Sequence, residues 1–494
     1  MSQLELAIHG PTDRLRSLRT ALIFLAATVL SAALFFAEQA YLYSIVFAMA
    51  LCLITPIWLQ WQHGHVDWFQ TINIIGLLHF VNFGLGAIWV VQDPINVAYD
   101  RYIVPFIPQA ALYCLFGYFA LLAGYFGPWS PQKARTRIEY PVRMLFVLIP
   151  AVLGFLGYAS QSSWYWAGRL GLSRSIVVST LAQFAPLFLY AWALGWMLVL
   201  SRRPSPRMKQ VLWFVLVPAT LLILSISLNN KSLTLSLIGI PLVSLWYARR
   251  KVPWKTLLIV MAVLILVIFP IYNTFRTLDA RASAGQRLEM TSNIIEKWDA
   301  RFYLDRSLGT FKARMSLINS VAVVIRDTPR WVPYARGETL FVPMLHFVVP
   351  RLLWPDKPQM DFGRQFGETF RVVHVLDRDT KIGSGVPGEL YWNFSVPGIV
   401  IGMAIWGLAL RFLYRRYGWS AECDPVRQAI HVVLLVQFAH FEGGLAPQTV
   451  GVIRALLLLE GYLLLSRHFG LLASRPTERA SRAQVSRIAP TGAS

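Results

Sequence analysis

The chain carries little charge for its length. Of its 494 residues only 14% are charged and 56% are hydrophobic, whereas about 25% of the residues in soluble domains are charged. Acids are the scarcer sign, with 25 Asp and Glu against 46 Lys and Arg. This composition excludes an ordinary soluble domain and indicates a protein that lies in a bilayer.

Cysteines and the motifs of soluble enzymes are also scarce. Cys52, Cys114 and Cys423 offer neither a disulfide framework nor a metal or haem motif. The sequence has no GxGxxG turn after a strand, no Walker motif and no HExxH zinc motif. We therefore expect no metal and no cofactor. A nucleic-acid partner is not expected either, because the excess of basic residues is explained by membrane topology.

Apolar blocks of 16 to 26 residues are what the sequence has in abundance. A helix needs about 20 apolar residues to cross the hydrocarbon core, so the blocks predict an all-α, polytopic bundle of about twelve transmembrane helices. The first block follows three arginines and lacks a cleavage site, which indicates a retained anchor. The blocks lie at 20–37, 40–59, 71–92, 109–127, 144–160, 176–201, 211–228, 233–248, 256–275, 394–413, 428–446 and 450–466.

Lys and Arg are distributed unevenly between the connecting segments. The segments on the side of the N terminus carry 24 of them, whereas the short loops opposite carry four. By the positive-inside rule both termini are cytoplasmic. The predicted parts are a nine-span membrane region 1–275, a large periplasmic loop 276–393, three further spans 394–466 and a disordered cytoplasmic tail 467–494.

The loop 276–393 departs from the otherwise short connections, and such loops are usually functional. It contains 17 Lys and Arg, thirteen of them arginine, and 13 acids. Apolar residues at helical spacing predict amphipathic helices over 293–306 and 311–325, lying on the membrane or on the bundle. The run 339–354 is apolar but is interrupted by two prolines, so we expect a re-entrant or interfacial segment.

Arginine on an external loop suggests an anionic lipid head group, with a diphosphate as the obvious candidate. Its planar fork matches phosphate oxygens bidentately and keeps its charge. The alternative is that these arginines pair with the acids of the same loop or extend to the interface.

Ionisable residues also lie inside the apolar blocks, where they are costly. His440, Glu442 and Arg454 are predicted at similar depth on the external side, Arg454 about one turn inside its span. They form either a buried group that locks the bundle or a group that faces substrate, and the sequence leaves both open. His79 is expected to be a hydrogen-bonded packing residue.

Two stretches carry a resemblance to a known family. The run from Pro350 to Pro358 reads PRLLWPDKP, and the run from Gly388 to Phe394 reads GELYWNF and leads into the tenth span. Together they resemble the external-loop signature of bacterial oligosaccharide repeat-unit polymerases, the Wzy-type O-antigen and exopolysaccharide polymerases, which are related to the O-antigen ligases. The predicted topology also agrees with that family.

The resemblance implies an enzyme that transfers a glycan from undecaprenyl diphosphate to a sugar hydroxyl without a metal or nucleotide. Its expected partners are a chain-length regulator and a flippase for lipid-linked oligosaccharide. The alternatives are a ligase that transfers to a lipid or protein acceptor, and a flippase or exporter.

This chemistry nominates particular residues. Fixed positive charge has to stabilise the diphosphate leaving group, and a base has to accept the proton of the attacking hydroxyl. Arg326 and Gly337 match the Arg-x10-Gly spacing of some O-antigen polymerases, although chance would also produce such a match. The expected diphosphate and sugar ligands are Arg351, Lys357, Arg364, Lys231, Tyr391 and Trp392, the candidate bases are Glu389 and then His346, and the secondary candidates are His440, Glu442 and Arg454.

Overall fold

The structure is a computed structural model. It describes residues 40–62, 66–127, 142–169, 176–201, 204–226, 231–249, 251–252, 254–268, 270–271, 274, 284–348, 354, 361–374, 380–418, 424–440 and 443–472. The predicted first span, 20–37, and the tail after 472 lie outside these ranges.

The described residues are almost entirely helical, with an isolated bridge between Val142 and Leu472 in place of a sheet. Within the described ranges eight helices are long and apolar enough to cross a membrane, as expected of a multi-pass helical membrane protein. They are α1 (Ala40–Gln62), α2 (Thr71–Gln92), α3 (Arg101–Phe126), α4 (Leu145–Arg169), α5 (Val177–Val199), α6 (Pro206–Ser225), α14 (Gly385–Leu413) and α16 (Leu445–His468).

The remaining helices are shorter. Three of them coincide with predicted spans: α7 (Lys231–Arg249), α8 (Trp254–Val263) and α15 (Pro425–Ala439). Five more belong to the segment predicted as the external loop: α9 (Ala284–Ile295), α10 (Ala300–Met315), α11 (Ile318–Asp327), α12 (Glu338–Val348) and α13 (Phe362–Thr369). Every predicted span within the described ranges therefore contains a helix, while the total of twelve spans stays a prediction.

The chain divides into two compact units. Unit 1 comprises Met1–Gln132, Val252–Tyr414 and Gln437–Gly451, and unit 2 comprises Lys133–Lys251, Arg415–Val436 and Val452–Ser494. Unit 1 contains 23 Lys and Arg and 20 acids, whereas unit 2 contains 23 Lys and Arg and only five acids. Unit 2 therefore carries most of the net charge of +21.

In unit 1, α3 and α14 pack at close range. A Cβ on Gly124 would overlap the carbonyl oxygen of Ala404, and a Cβ on Gly407 would overlap that of Leu121. Small residues allow helix backbones to approach in this way within a membrane, where dispersion contacts drive association. The pair forms the framework that holds the rest of unit 1.

The connections of unit 1 gather at two ends. At one end the side-chain amide of Asn319 donates to Val97 O (2.8 Å), and Arg326 pairs with Asp100 (2.9 Å). At the other end Gln70 donates to the Tyr125 hydroxyl (2.8 Å). Residues 93–100 and the segment 316–327 thus share one end, which agrees with the predicted alternation of the loops.

The helix boundaries within 276–393 differ from the prediction. The expected helix over 293–306 is wrong, because α9 ends at Ile295 and Asp299 begins α10 by accepting a hydrogen bond from Phe302 N (2.6 Å). The helix expected over 311–325 is also interrupted, between Met315 and Ile318.

The C-terminal part of the second segment, α11, packs within unit 1, which is the second of the two expected locations. Nearly every residue of α11 is buried in unit 1, and its polar residues Asn319 and Ser320 bond to the carbonyls of Val97 and Gly383. The Asn319 amide nitrogen and the Ser320 hydroxyl thus donate to backbone acceptors inside the unit. Helix α12 has 11 residues and is about 17 Å long, too short to span the core.

Cysteine labelling tests this arrangement. Ile95 and Trp331 are 77% and 73% exposed. Ile95 lies in the first of the segments that share one end of unit 1, and Trp331 follows the second and donates its backbone N–H to Asp327 O (2.7 Å). We expect Ile95→Cys and Trp331→Cys, in a background without the native cysteines, to react with an impermeant maleimide added outside spheroplasts. Arg207→Cys should react only after permeabilisation. Different labelling at positions 95 and 331 would contradict the packing, and external labelling at 207 would reverse the orientation.

Candidate functional site

Helix α14 is interrupted near its start. Phe394 (φ −140°, ψ 20°) and Ser395 (φ 58°, ψ −153°) leave the helical region, and Pro397 follows. A Cβ on Gly398 would lie 2.5 Å from Leu390 O, so the chain turns back sharply at the break. The nine residues 385–393 form a short half-helix that is buried along its whole length. The predicted tenth span, 394–413, begins at this break.

The segment 333–339 satisfies the backbone at the end of the half-helix. Trp392 O accepts from Ala335 N (3.0 Å), and the side-chain oxygen of Asn393 accepts from Gly337 N (2.8 Å). The Asn393 amide nitrogen donates to Thr339 Oγ1 and to Glu389 O, both at 2.7 Å. Asn393 therefore fixes the position of this segment relative to the half-helix.

Glu389 lies on the half-helix and is 2% exposed. Its Oε2 accepts from Leu445 N (2.5 Å) and Ala446 N (3.2 Å), the first amides of α16. A carboxylate is stabilised there by the helix dipole and by otherwise unpaired N–H groups. Thr339 lies beside the carboxyl group, and Oε1 meets no hydrogen-bond partner in the described part of the chain. We call Glu389, Thr339, Asn393, Leu445 and Ala446 the Glu389 cluster.

The two predicted sugar platforms are packed against other rings. Tyr391 is 7% exposed and stacks on Tyr113 with ring centroids 5.8 Å apart. Trp392, also 7% exposed, meets Phe370 edge to face (5.0 Å), and its Nε1 donates to Pro333 O (3.3 Å). Since these contacts leave little ring surface free, the geometry favours a packing role over sugar stacking.

A basic cleft of about 800 Å³ opens at the same end of unit 1. Its walls are α10, residues 93–99 and residues 380–383, three segments far apart in sequence. The cations of the cleft are Arg306, Lys312, Arg314 and Lys381, and its acids are Asp93 and Asp305. The sequence reasoning nominated none of these six residues, because only folding brings them together.

Three of these cations have no acid partner within the described ranges. Lys381 pairs with Asp361, but Arg306, Lys312 and Arg314 form no ion pair there. Unpaired cations around a concave space attract anions and bind them by charge-assisted hydrogen bonds. The volume falls within the range of ligand pockets, about 300–1,000 Å³.

The basic cleft and the Glu389 cluster are adjacent. Leu317 and Gly383 line the cleft, and Gly385, the first residue of the half-helix, packs on the Leu317 side chain. Ser384 lies between Gly383 and the half-helix, and its Oγ would lie 3.0 Å from a Cβ on Gly444. One wall of the cleft therefore separates the cluster from the ligand space.

None of the other predicted residues that the structure describes lines the basic cleft. Arg351, Lys357 and Glu442 lie outside the described residues. Lys231 is the first residue of α7 in unit 2, and Arg454 also belongs to unit 2. His346 is half-buried on α12 with its ring 5.1 Å from that of Trp354, and His440 is exposed at the end of α15.

Two loop arginines support the ion-pairing alternative. Arg364 pairs with Glu368 one turn along α13 (2.6 Å). Arg326, of the Arg-x10-Gly spacing, holds both carboxylate oxygens of Asp327 and also Asp100. His79 is fully buried with Nε2 3.0 Å from Cys114 O, as a packing residue would be. Among the residues that the structure describes, His, Cys, Asp and Glu form no group of three that would hold a metal.

Comparisons with known proteins return nothing: neither a protein-family model, nor a curated protein, nor a solved structure matches the chain.

The contact between Glu389 and α16 is testable by denaturation. Glu389→Leu leaves two buried N–H groups without an acceptor and should lower the free energy of unfolding by about 1–3 kcal/mol. Glu389→Gln keeps an acceptor and should lose less. The matched control is Glu368→Leu, because the Glu368 side chain is 57% exposed and its ion pair contributes about 0–1 kcal/mol. Equal melting of the two Leu variants in detergent would contradict the capping role.

Proposed function

We propose that this protein is an integral inner-membrane glycosyltransferase that polymerises undecaprenyl-diphosphate-linked oligosaccharide repeat units at the periplasmic face. The observation that carries the proposal is the basic cleft beside a buried carboxylate, within the segment predicted to be the periplasmic loop. The resemblance of residues 350–358 and 388–394 to repeat-unit polymerases supports the same reaction. A chain-length regulator and a flippase for the lipid-linked unit are the proposed partners.

The proposed reaction needs stabilised negative charge and a proton acceptor. The acceptor hydroxyl attacks the anomeric carbon of the donor, the bond from that carbon to the diphosphate oxygen breaks, and undecaprenyl diphosphate leaves. Fixed cations stabilise the charge that develops on the leaving group. Arg306, Lys312 and Arg314 are suited to this role because they line the cleft and form no ion pair within the described ranges. Arg351 and Lys357 remain proposed ligands from the sequence.

Two carboxylates are candidates for the base that takes the hydroxyl proton. Asp305 is exposed in the cleft itself, where a substrate would meet it directly. Glu389 has an Oε1 without a described hydrogen-bond partner, but it is 2% exposed and does not line the cleft, so it reaches substrate only if the residues around it move. A base has to lie within hydrogen-bond reach of the proton it abstracts. The geometry thus favours Asp305 as the base and Glu389 as the residue that positions the half-helix.

One observation favours a second candidate, a flippase or exporter of the lipid-linked saccharide. Interrupted helices in transporters place half-helix ends at the substrate path, and α14 is interrupted at Phe394 and Ser395. In this protein, however, residues 333–339 cover the end of the half-helix, and Glu389 bonds to α16. A ligase that uses the same donor and another acceptor shares the chemistry of the first proposal.

The cleft can be tested by binding. We expect the double variant Arg306→Gln and Lys312→Gln to bind a lipid-linked repeat unit at least about tenfold more weakly in detergent, because charge-assisted bonds to phosphate contribute about 1.5–3 kcal/mol each. Arg330→Gln is the control, since Arg330 is in unit 1 but stacks on Trp331 outside the cleft lining. Unchanged affinity of the double variant would remove the cleft from the donor site.

Elongation separates the two candidate bases. Asp305→Asn should bind the donor and elongate it about 10²–10⁴-fold more slowly, as loss of a general base does. Glu389→Gln should elongate the donor at the wild-type rate once the rate is corrected for the fraction of the protein that is folded. The measurement is single-turnover ladder formation by purified protein. The reverse ranking, with folded Glu389→Gln inactive and Asp305→Asn active, would give the role of base to Glu389.

A further inference from the structure

Unit 2 contains many cations and few acids, with 23 Lys and Arg against five Asp and Glu. Its five acids include two that the structure describes, and both are engaged: Asp424 lies 3.8 Å from Arg427, and Glu460 lies 3.2 Å from Arg416. A further cation of this unit has few carboxylates of the same unit with which to pair.

Arg454 is such a cation, and it lies deep in the unit. Helix α16 begins at Leu445, not at 450 as the sequence predicted, so Arg454 is nine residues, about 14 Å, from the helix start. The predicted depth of about one turn is therefore wrong. The helix is 24 residues, about 36 Å, long, which places Arg454 near its middle.

The described neighbours of Arg454 are neutral. Its NH1 donates to the side-chain oxygen of Gln183 (3.2 Å), Tyr158 lies beside it, and its buried Nε has no hydrogen-bond partner in the described ranges. A buried charge without a counter-charge is strongly unfavourable in a membrane. An anion that occupies this place would relieve that cost.

We propose that Arg454, with Gln183 and Tyr158, forms an anion site inside unit 2 that takes the phosphate group of a membrane-embedded lipid. The guanidinium fork matches two phosphate oxygens, and the free Nε supplies a donor that no described protein atom uses. The phosphate comes either from a phospholipid or from a polyprenyl diphosphate. The site is separate from the basic cleft, which belongs to unit 1, and does not depend on the proposed enzymatic function.

Thermal stability with defined lipids tests the site. The full chain in neutral detergent receives phosphatidylcholine, phosphatidylglycerol or farnesyl diphosphate, and its Tm is compared with that of Arg454→Met and Arg454→Lys. We expect phosphatidylglycerol or farnesyl diphosphate to raise the wild-type Tm by about 2 °C or more beyond phosphatidylcholine. The compound that raises the Tm, phosphatidylglycerol or farnesyl diphosphate, identifies the source of the phosphate. Arg454→Met should lose this response, and Arg454→Lys should need at least about tenfold more ligand.

The control is Arg416→Met, which removes a cation of the same unit that already has an acid partner and should keep the lipid response. If Arg454→Met fails to fold, the Lys variant decides. The proposal is overturned if both anionic lipids act as phosphatidylcholine does, or if Arg454→Lys responds like the wild type. It is also overturned if Glu442→Gln lowers the Tm of the wild type but not that of Arg454→Met, because Glu442 would then be the partner.

Discussion

The arrangement of unit 1 depends on how the chain satisfies the backbone at the break in α14. In a bilayer an unpaired N–H or C=O group costs several kcal/mol, so an interrupted helix persists only where protein supplies the missing partners. Here Asn393 and Trp392 bond to residues 335–337. Those bonds fix the position of the half-helix. The half-helix in turn directs Glu389 at the start of α16. Gly385, its first residue, packs on Leu317 in one wall of the basic cleft.

Charge balance sets what the two units are able to bind. Unit 1 is nearly neutral, and several of its arginines, such as Arg326 and Arg364, already have carboxylate partners. The cations of the basic cleft that form no described ion pair are for that reason the better candidates for binding an anion. Unit 2 is short of acids, and Gln183 and Tyr158, the partners that the structure describes for its Arg454, are neutral. Both sites follow from the same count of charges, although one faces an open cleft and the other lies within an apolar bundle.

The sequence predicted the helical class and the presence of a helix in each predicted span of the described part of the chain, because long apolar blocks leave few other structures open. It was less successful within 276–393. The start of α10 at Asp299 is set by a cap, and the burial of α11 by contacts with residues 97–100 and 383. Glu389 was singled out as a candidate base, and its bonds to residues 445 and 446 were not predictable. The cleft was missed because its lining comes from three separate stretches of the sequence, 93–99, 302–317 and 380–383.

The central claim is that this protein joins lipid-linked repeat units by itself. The most direct measurement reconstitutes the purified chain in liposomes with a synthetic undecaprenyl-diphosphate-linked repeat unit and follows both products by mass. The account predicts a ladder that grows by one repeat unit per step, together with one undecaprenyl diphosphate released for each bond formed. Donor that stays unchanged in mass while it moves from one leaflet to the other would contradict the account and identify a flippase.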